Sequence, residues 1–469
     1  MTKIKFGTDG WRAIIAKDFT VDNVARVTLG SVEWLKQNFD NPSVVIGHDC
    51  RYAGELFAET TAKVFANAGI KVFLAKGPVS TPMVSLGTLN KEASLGIVIT
   101  ASHNPPSYNG YKLKGHFGGP LLPKEIQEVE DLIPASNSVD LDALELEDFY
   151  TNGLIENVDL ETMYVDHVEA NFDMDSIRNS DMSFAYDAMF GSGQDVMRRL
   201  LPDIDFLHCD HNPGFNGTAP EPIHRNLREF SDMIKMADGQ INCGLATDGD
   251  ADRIGLYDSE GNFIDSHHII LLLIKYLVEE KKYTGKVVNA FSVTPKVKKM
   301  CDHYGLEYQV TKIGFKYIAG IMLTDDVLLG GEESGGIATK GHIPERDGIW
   351  MGLIIWEYMV KSGRTLEDLI EDVYEIVGSF KFERIDMHLK EEEKLAIVAN
   401  CENGVYTSFG DLEVRRVENV DGFKYFFDND EWVMIRASGT EPVLRTYAES
   451  SSNEGAFKIL EKVHAEFKK

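Results

Sequence analysis

Leu95-Gly96-Ile97-Val98-Ile99-Thr100-Ala101-Ser102-His103-Asn104-Pro105-Pro106 is the stretch on which the fold turns. Its first five residues form a short apolar run of the kind that reads as a buried strand. Pro105 and Pro106 forbid a regular helix or central strand beyond it, so Ser102 is expected on a tight loop at a strand end. Loops at strand ends are where α/β folds expose reacting side chains. A hydroxyl there is a nucleophile only if something activates it or if it already carries a phosphoryl group. Ser102 and Asn104 could equally do no more than satisfy backbone groups in a turn.

Outward from this stretch, alternating strand-like and helix-like segments run through most of the chain, the pattern of α/β domains. Ser43–Gly47 and Lys71–Ala75 read as strands with Glu55–Ala68 as the helix between them, and residues 123–133 as a helix. A polar, acidic stretch after Pro134 reads as a domain junction. A second unit contains the helix Asp159–Asn171, the strand Met182–Asp187, a Gly191-Ser192-Gly193 turn and the helix Gln194–Leu201. A third begins after Tyr257, with helices over His267–Glu280 and Gly348–Lys361 and a strand over Lys286–Phe291. From about Gly378 the strands become denser, ending in a helix near Gly455–Phe467, as in a smaller α+β domain. For 469 residues, a prior of about 150 residues per domain gives three or four domains. The divisions fall at 1–150, 151–257, 258–377 and 378–469.

Composition excludes several classes. The net charge of −28 repels nucleic acid and anionic lipid, and no run approaches the length of a membrane span. Cys50, Cys209, Cys243, Cys301 and Cys401 are scattered and lack CxxC spacing, which fits reduced thiols rather than disulfides or a zinc site. The N-terminus has no apolar signal core, so a cytoplasmic location is expected. An anionic substrate would have to be captured by local basic or glycine-rich islands.

Asp248-Gly249-Asp250-Ala251-Asp252-Arg253 lies between the strand-like segments Ile241–Ala246 and Ile254–Tyr257. Three carboxylates at alternating positions repel one another unless a cation sits among them, and their hard oxygens favour Mg²⁺ or Ca²⁺. An EF-hand loop would need Gly and Glu where Arg253 and Ser259 stand. An aspartyl-nucleophile phosphatase would want Thr or Val soon after the second Asp, and a solvated acidic hairpin is the bland reading. Gly330-Gly331-Glu332-Glu333-Ser334-Gly335-Gly336 follows another apolar run and offers groups suited to vicinal hydroxyls, or is simply a flexible turn. Arg436-Ala437-Ser438-Gly439-Thr440-Glu441-Pro442, with Arg445 beyond, supplies hydroxyls, backbone donors and two guanidinium forks suited to phosphate. Phe6-Gly7-Thr8-Asp9-Gly10-Trp11-Arg12 is a small turn ending in a cation.

Together these motifs resemble, end to end and in order, the α-D-phosphohexomutase superfamily, which includes phosphoglucomutases and phosphomannomutases. The resemblance implies four domains around a central cleft, three related α/β units and a smaller C-terminal α+β domain, each giving one loop to the cleft. It implies that Ser102 is the phosphorylated serine and that Asp248, Asp250 and Asp252, with a phosphoserine oxygen, hold Mg²⁺. Glu332 and Ser334 would contact sugar hydroxyls. Arg436, Ser438, Gly439 and Thr440 would hold the non-reacting phosphate, with Arg253 and Arg445 further substrate contacts. Lys112 matches a lysine assigned to proton transfer, a role that a lowered pKa near cations would favour. Arg12 and His103 match further cleft residues.

The implied activity interconverts hexose 1-phosphate and hexose 6-phosphate through a hexose 1,6-bisphosphate, on a small phosphosugar substrate and as a monomer or dimer. Relatives usually carry Met or Gln where Glu333 stands and His where Gly336 stands; the Glu-Glu-Ser form looks more like phosphoglucomutases, so glucose is expected, with mannose or both as the alternative. His342 lies close in sequence to the missing histidine. Less expected is a Mg²⁺-dependent sugar phosphatase.

Overall fold

The computed structural model describes residues 3–437 and 443–468. Its sheets follow the four sequence units. The first orders its strands Trp11–Ile14, Tyr108–Gly115, Leu95–Ile99, Ser43–His48, Lys71–Pro78 and Ile155–Val158, with the two-residue strand Gly119–Pro120 on Tyr108–Gly115. The second runs Phe263–Ile264, Ile254–Tyr257, Cys243–Thr247, Phe184–Asp187, Asp205–Leu207. The third runs Tyr308–Thr311, Lys286–Ala290, Val327–Gly331, Ile337–Thr339. The fourth is antiparallel throughout: Lys381–His388, Val443–Ser450, Trp432–Ala437, Phe423–Phe426, Arg416–Glu418.

One construction recurs in the three α/β units. A buried strand ends in a loop, and the chain returns antiparallel beside it: Leu95–Ile99 with Tyr108–Gly115, Cys243–Thr247 with Ile254–Tyr257, and Val327–Gly331 with Ile337–Thr339. The serine, aspartate and glycine-rich motifs occupy those three loops. In the fourth unit, Trp432–Ala437 and Val443–Ser450 pair antiparallel on either side of residues 438–442.

Helices cover the sheets where the apolar period demands it. Ser266–Glu279 is N-capped by Asp265 and apolar on nearly every side, so it is buried as a core helix. Gly348–Ser362 starts on the Asp347 cap and stops at Gly363, whose φ is +64°. One continuous apolar core joins side chains of all three α/β units, from Val45 and Val84 through Tyr186 and Leu245 to Leu272 and Trp356. The fourth unit has its own core around Phe409, Ile435 and Leu460, and meets the third at a small aromatic seam of Phe291, Trp432, Met434 and Tyr447.

One sequence expectation is corrected, and the first sheet runs further than the sequence units suggest. A central strand does follow the prolines, starting at Tyr108, because proline constrains only itself and the residue before it. The sheet of the first unit continues past the polar stretch after Pro134. That stretch leads through the helix Leu146–Thr151 to Ile155–Val158, which pairs parallel to Lys71–Pro78, and Phe149 and Ile155 are buried in the first unit's core. Backbone pairing, which composition does not report, decides the matter. The first sheet thus reaches past residue 150, and the second, through Phe263–Ile264, past residue 257.

Candidate active site

Ser102 is fully buried and sits at φ +51°, a left-handed conformation that a non-glycine residue adopts only under constraint from its surroundings. The constraint is Arg51. Its guanidinium, also buried, donates to four loop carbonyls: Ser102 (2.7 Å), Asn104 (2.6 Å), Pro105 (2.9 Å) and Tyr108 (3.0 Å). Asp49 orients the same loop by accepting from the Thr100 hydroxyl at 2.6 Å, and Thr100 Oγ1 accepts from the Ser102 N–H at 2.8 Å. The serine hydroxyl is therefore fixed, and it donates to Asp248 Oδ2 at 2.6 Å, with His103 Nδ1 at 3.2 Å.

The second unit brings the aspartate loop against the serine loop. Gly249 is required there: a Cβ at that position would lie 2.6 Å from the Ser102 carbonyl oxygen. Asp248 Oδ1 accepts from the Asp252 and Arg253 N–H groups, which curls the loop and turns its carboxylates inward. All three aspartates are fully buried, with one ligand oxygen from each within 4.8 Å of the others. Among the described residues, Asp250 Oδ1 and Asp252 Oδ1 have no hydrogen-bond partner. Buried carboxylate oxygens without partners are costly, and a hard cation such as Mg²⁺ would satisfy them; the donor set fits it. Burial, then repulsion from Asp250 and Asp252, raises the Asp248 carboxyl well above its ordinary range.

Lys112, on the returning strand, is buried with its ammonium 2.7 Å from Asp9, 2.7 Å from Asp250 and 2.8 Å from Asp252. Its surroundings are anionic, contrary to the expectation of a lysine near cations. Burial opposes its charge, but Asp250, Asp252 and Asp9 outweigh burial and raise its pKa, so it holds its proton firmly. His103 is held neutral, its pKa well below the usual value, first by burial and then by Arg253 and Arg12. Arg12 donates to Asn104 Oδ1 at 2.7 Å and reaches Asp9, closing the rim around the serine loop.

The glycine-rich loop of the third unit docks on the strand that follows the aspartates, with Ile254 N–H donating to the Gly335 carbonyl at 3.1 Å. Glu332 is buried, accepts from Gly314 N–H at 2.8 Å, and has its pKa raised by burial against the pull of Arg346 and Arg253. Ser334 is half-buried on a cavity of about 830 Å³ between the second, third and fourth units. Arg253 lies 4.0 Å from both Asp248 and Asp252. In the fourth unit Arg436 and Arg445 are cross-strand partners, and Arg436 lies 3.4 Å from Asp421. Ser438, Gly439 and Thr440 lie outside the described residues.

Sequence reasoning missed Asp9, Arg51 and Arg346. Arg346 donates to Asp9 at 2.7 Å and to Asp252 at 2.6 Å, and it fills the space beside Gly336, where a Cβ would come within 2.4 Å of its Cδ. An arginine thus occupies the room a histidine at 336 would need. His342 does not substitute: it is turned away, bonded to Asp347 and His167 and stacked on Trp350. Isolated arginines carry no spacing signal, so only the fold reveals them.

No helix among the described residues is long and apolar enough to cross a membrane. The chain is 30% identical to the phosphoglucomutase/phosphomannomutase of Thermococcus kodakarensis, covering 97% of this chain and 96% of that one. It is 29% identical to the phosphoglucosamine mutase of Methanocaldococcus jannaschii, with the same coverage. A Thermus thermophilus protein assigned as a phosphomannomutase superposes with a TM-score of 0.88 at 30% identity, over the whole of both chains. Family models for phosphoglucomutase/phosphomannomutase match in four consecutive pieces: alpha/beta/alpha domains I, II and III at residues 3–140, 162–261 and 265–377, and the C-terminal domain at 391–466. With all four domains present in order, this chain belongs to the phosphoglucomutase/phosphomannomutase family of the α-D-phosphohexomutase superfamily.

Proposed function

We propose that this phosphohexomutase interconverts hexose 1-phosphate and hexose 6-phosphate, with glucose as the preferred hexose, using Ser102 as a phosphoryl carrier. The observation that carries the reading is the fixed Ser102 hydroxyl, 2.6 Å from Asp248 and beside two carboxylates with unmatched buried oxygens. Asp248, Asp250 and Asp252 would hold Mg²⁺, whose chemistry there is to neutralise charge on a phosphoryl group in transfer.

In this reading the hexose 1-phosphate lies with its phosphate on the loop from Arg436 to Arg445, Ser438, Gly439 and Thr440 included. Its O6 hydroxyl then meets phosphorylated Ser102. The phosphorus–Oγ bond breaks as the phosphorus–O6 bond forms, and the O6 proton leaves to a base. Lys112 is our candidate for that proton. It is charged where it stands, held so by Asp9, Asp250 and Asp252, so it can take the O6 proton only after losing its own to solvent. Neutral His103, 3.2 Å from the Ser102 hydroxyl, and Arg12, bonded to Asn104, stand at the serine loop. The hexose 1,6-bisphosphate turns around and returns its other phosphoryl group to Ser102. Supplied from outside, the same bisphosphate would load the serine initially. Glu332 and Ser334 must read similar hydroxyls in both orientations, with Arg253 beside them.

Glucose rests on the Glu332-Glu333-Ser334 form of the loop. Mannose differs only at C2, and relatives named phosphoglucosamine mutases add the 2-amino sugar as a third substrate to compare. Ser102→Ala should lower turnover of glucose 1-phosphate at least a thousandfold while leaving hexose phosphate binding measurable by calorimetry. Retained turnover in that variant would defeat the carrier role. Parallel kinetics on the 1-phosphates of glucose, mannose and glucosamine would rank the sugars, and preference for either of the last two would displace glucose.

A further inference from the structure

Glu333 sits between the two residues assigned to the sugar, yet its side chain does not join them. Its Oε1 lies 3.5 Å from Nη1 of Arg384, on the first strand of the fourth unit. Arg384 is in turn gripped two-handed by Asp386, at 2.8 and 2.7 Å, which leaves Nη1 for Glu333. Asp386 Oδ2, which accepts from Arg384 Nη2, also lies 3.9 Å from Nε of Arg445, and Arg445 is the cross-strand partner of Arg436. A chain of alternating charges therefore runs from the glycine-rich loop of the third unit to the arginine pair of the fourth. It is sheltered: the side chains of Glu333, Arg384, Asp386 and Arg445 are 13%, 26%, 29% and 29% exposed, so solvent screens the chain less than a surface pair. Glu333, Arg384 and Asp386 line the same cavity as Ser334.

The two ends belong to bodies with separate cores, which meet at a small aromatic seam and at polar contacts such as Ile313 N–H to Asp421 at 2.9 Å and Lys296 to Asp430 at 3.5 Å. Without the charge chain, the separation between the loop that reads hydroxyls and the loop that holds phosphate would rest on those contacts alone and be held less tightly. A substrate spanning both would then meet the cost of fixing that separation itself. Met or Gln at position 333 offers no charge to Arg384.

We propose that Glu333 and Arg384 are positioning residues that set the distance between the hydroxyl-reading loop and the phosphate-holding arginines, so that hexose phosphates bind a pre-spaced site. Neither touches the reacting atoms. The proposal rests on the mutase reading above. Half-buried, bidentate-supported pairs couple strongly enough to be read in a double-mutant cycle.

The test compares the unaltered protein with Glu333→Gln, Arg384→Gln and the double variant in mutase assays on glucose 1-phosphate. Calorimetric binding of glucose 6-phosphate gives a readout independent of turnover, and melting temperatures give a control on folding. Each single variant should raise KM and the dissociation constant about five- to tenfold with kcat changed less than twofold. The double variant should be no worse than the weaker-binding single. Additive losses, or a fall in kcat with KM unchanged, would overturn the tie while leaving the mutase reading intact. If the unaltered protein neither binds nor isomerises hexose phosphates, the mutase reading falls and takes the tie with it.

Discussion

Gly336 and Arg346 show how much of this site is decided atom by atom. Gly336 is outside the left-handed region, so its small size, not its backbone freedom, is what matters. Arg346 cannot swing aside to admit a Cβ, because its head group is bound to both Asp9 and Asp252. Gly336→Ala should therefore cost about 1–3 kcal/mol in stability through overpacking. It should also lower mutase activity roughly tenfold or more, by displacing an arginine bound to the candidate metal ligand Asp252. Paired melting curves and steady-state kinetics would check both; unchanged activity would mean that Arg346 only fills space. At this scale Ser102 and the three aspartates were legible because their neighbours are unusual, prolines in one case and repeated carboxylates in the other. Arg51 and Arg346 were not, since each comes from a stretch without a motif. Asp9 lay within the Phe6–Arg12 motif, but its contacts to Lys112 and Arg346 are set by the fold. The proton state of Lys112 was also illegible, because the carboxylates that set it lie more than a hundred residues away.

Elements were easier to read than their neighbours in space. The apolar runs ending at Ile99, Ala246 and Leu329 correspond to strands, and the motifs after them to loops, because a loop that changes direction needs the Gly, Pro and Asp residues those motifs contain. Pairing was harder: nothing in Ile155–Val158 says that it completes the first sheet. The aspartate loop yields a prediction of its own. With one oxygen on each of Asp250 and Asp252 unmatched, the loop is incomplete without a cation, and binding should stabilise the fold. After chelator treatment, adding Mg²⁺ to about a hundred times its dissociation constant should stabilise by about 2.7 kcal/mol, a rise of a few degrees in melting temperature. Asp252→Asn should weaken the Mg²⁺ dependence of that rise by at least tenfold in concentration. An identical titration in the variant would place the ion elsewhere.

At the scale of the molecule, three α/β units share one core while the fourth leans on a seam. That seam contains a buried lysine. Lys424 is 3% exposed, with its ammonium 4.2 Å from the Trp432 ring centre, 5.0 Å from that of Phe291, and donating to the Val293 carbonyl at 3.0 Å. Burial pulls its pKa down to about 7, against the opposing pull of Glu449 and Glu418. In the unfolded chain the same group titrates near its ordinary value of about 10.4. Between pH 7 and 10 the unfolded state therefore binds more protons than the folded one, so this lysine makes stability rise with pH across that window. Below pH 7 its full cost is present. Glu449, raised by burial to about 7, acts in the opposite sense and mainly on the acid side of 7, outside the window. Lys424→Met keeps the apolar stem but gives up the bond to Val293, worth about 0.5–1.5 kcal/mol. At pH 7 the relieved burial cost should exceed that loss, and at pH 10 it should not. The variant should thus melt higher than the unaltered protein at pH 7 and lower at pH 10, with the curves crossing between. Parallel curves would show that Lys424 keeps an ordinary pKa, and that the fourth unit holds its place without an uncharged amine at the seam.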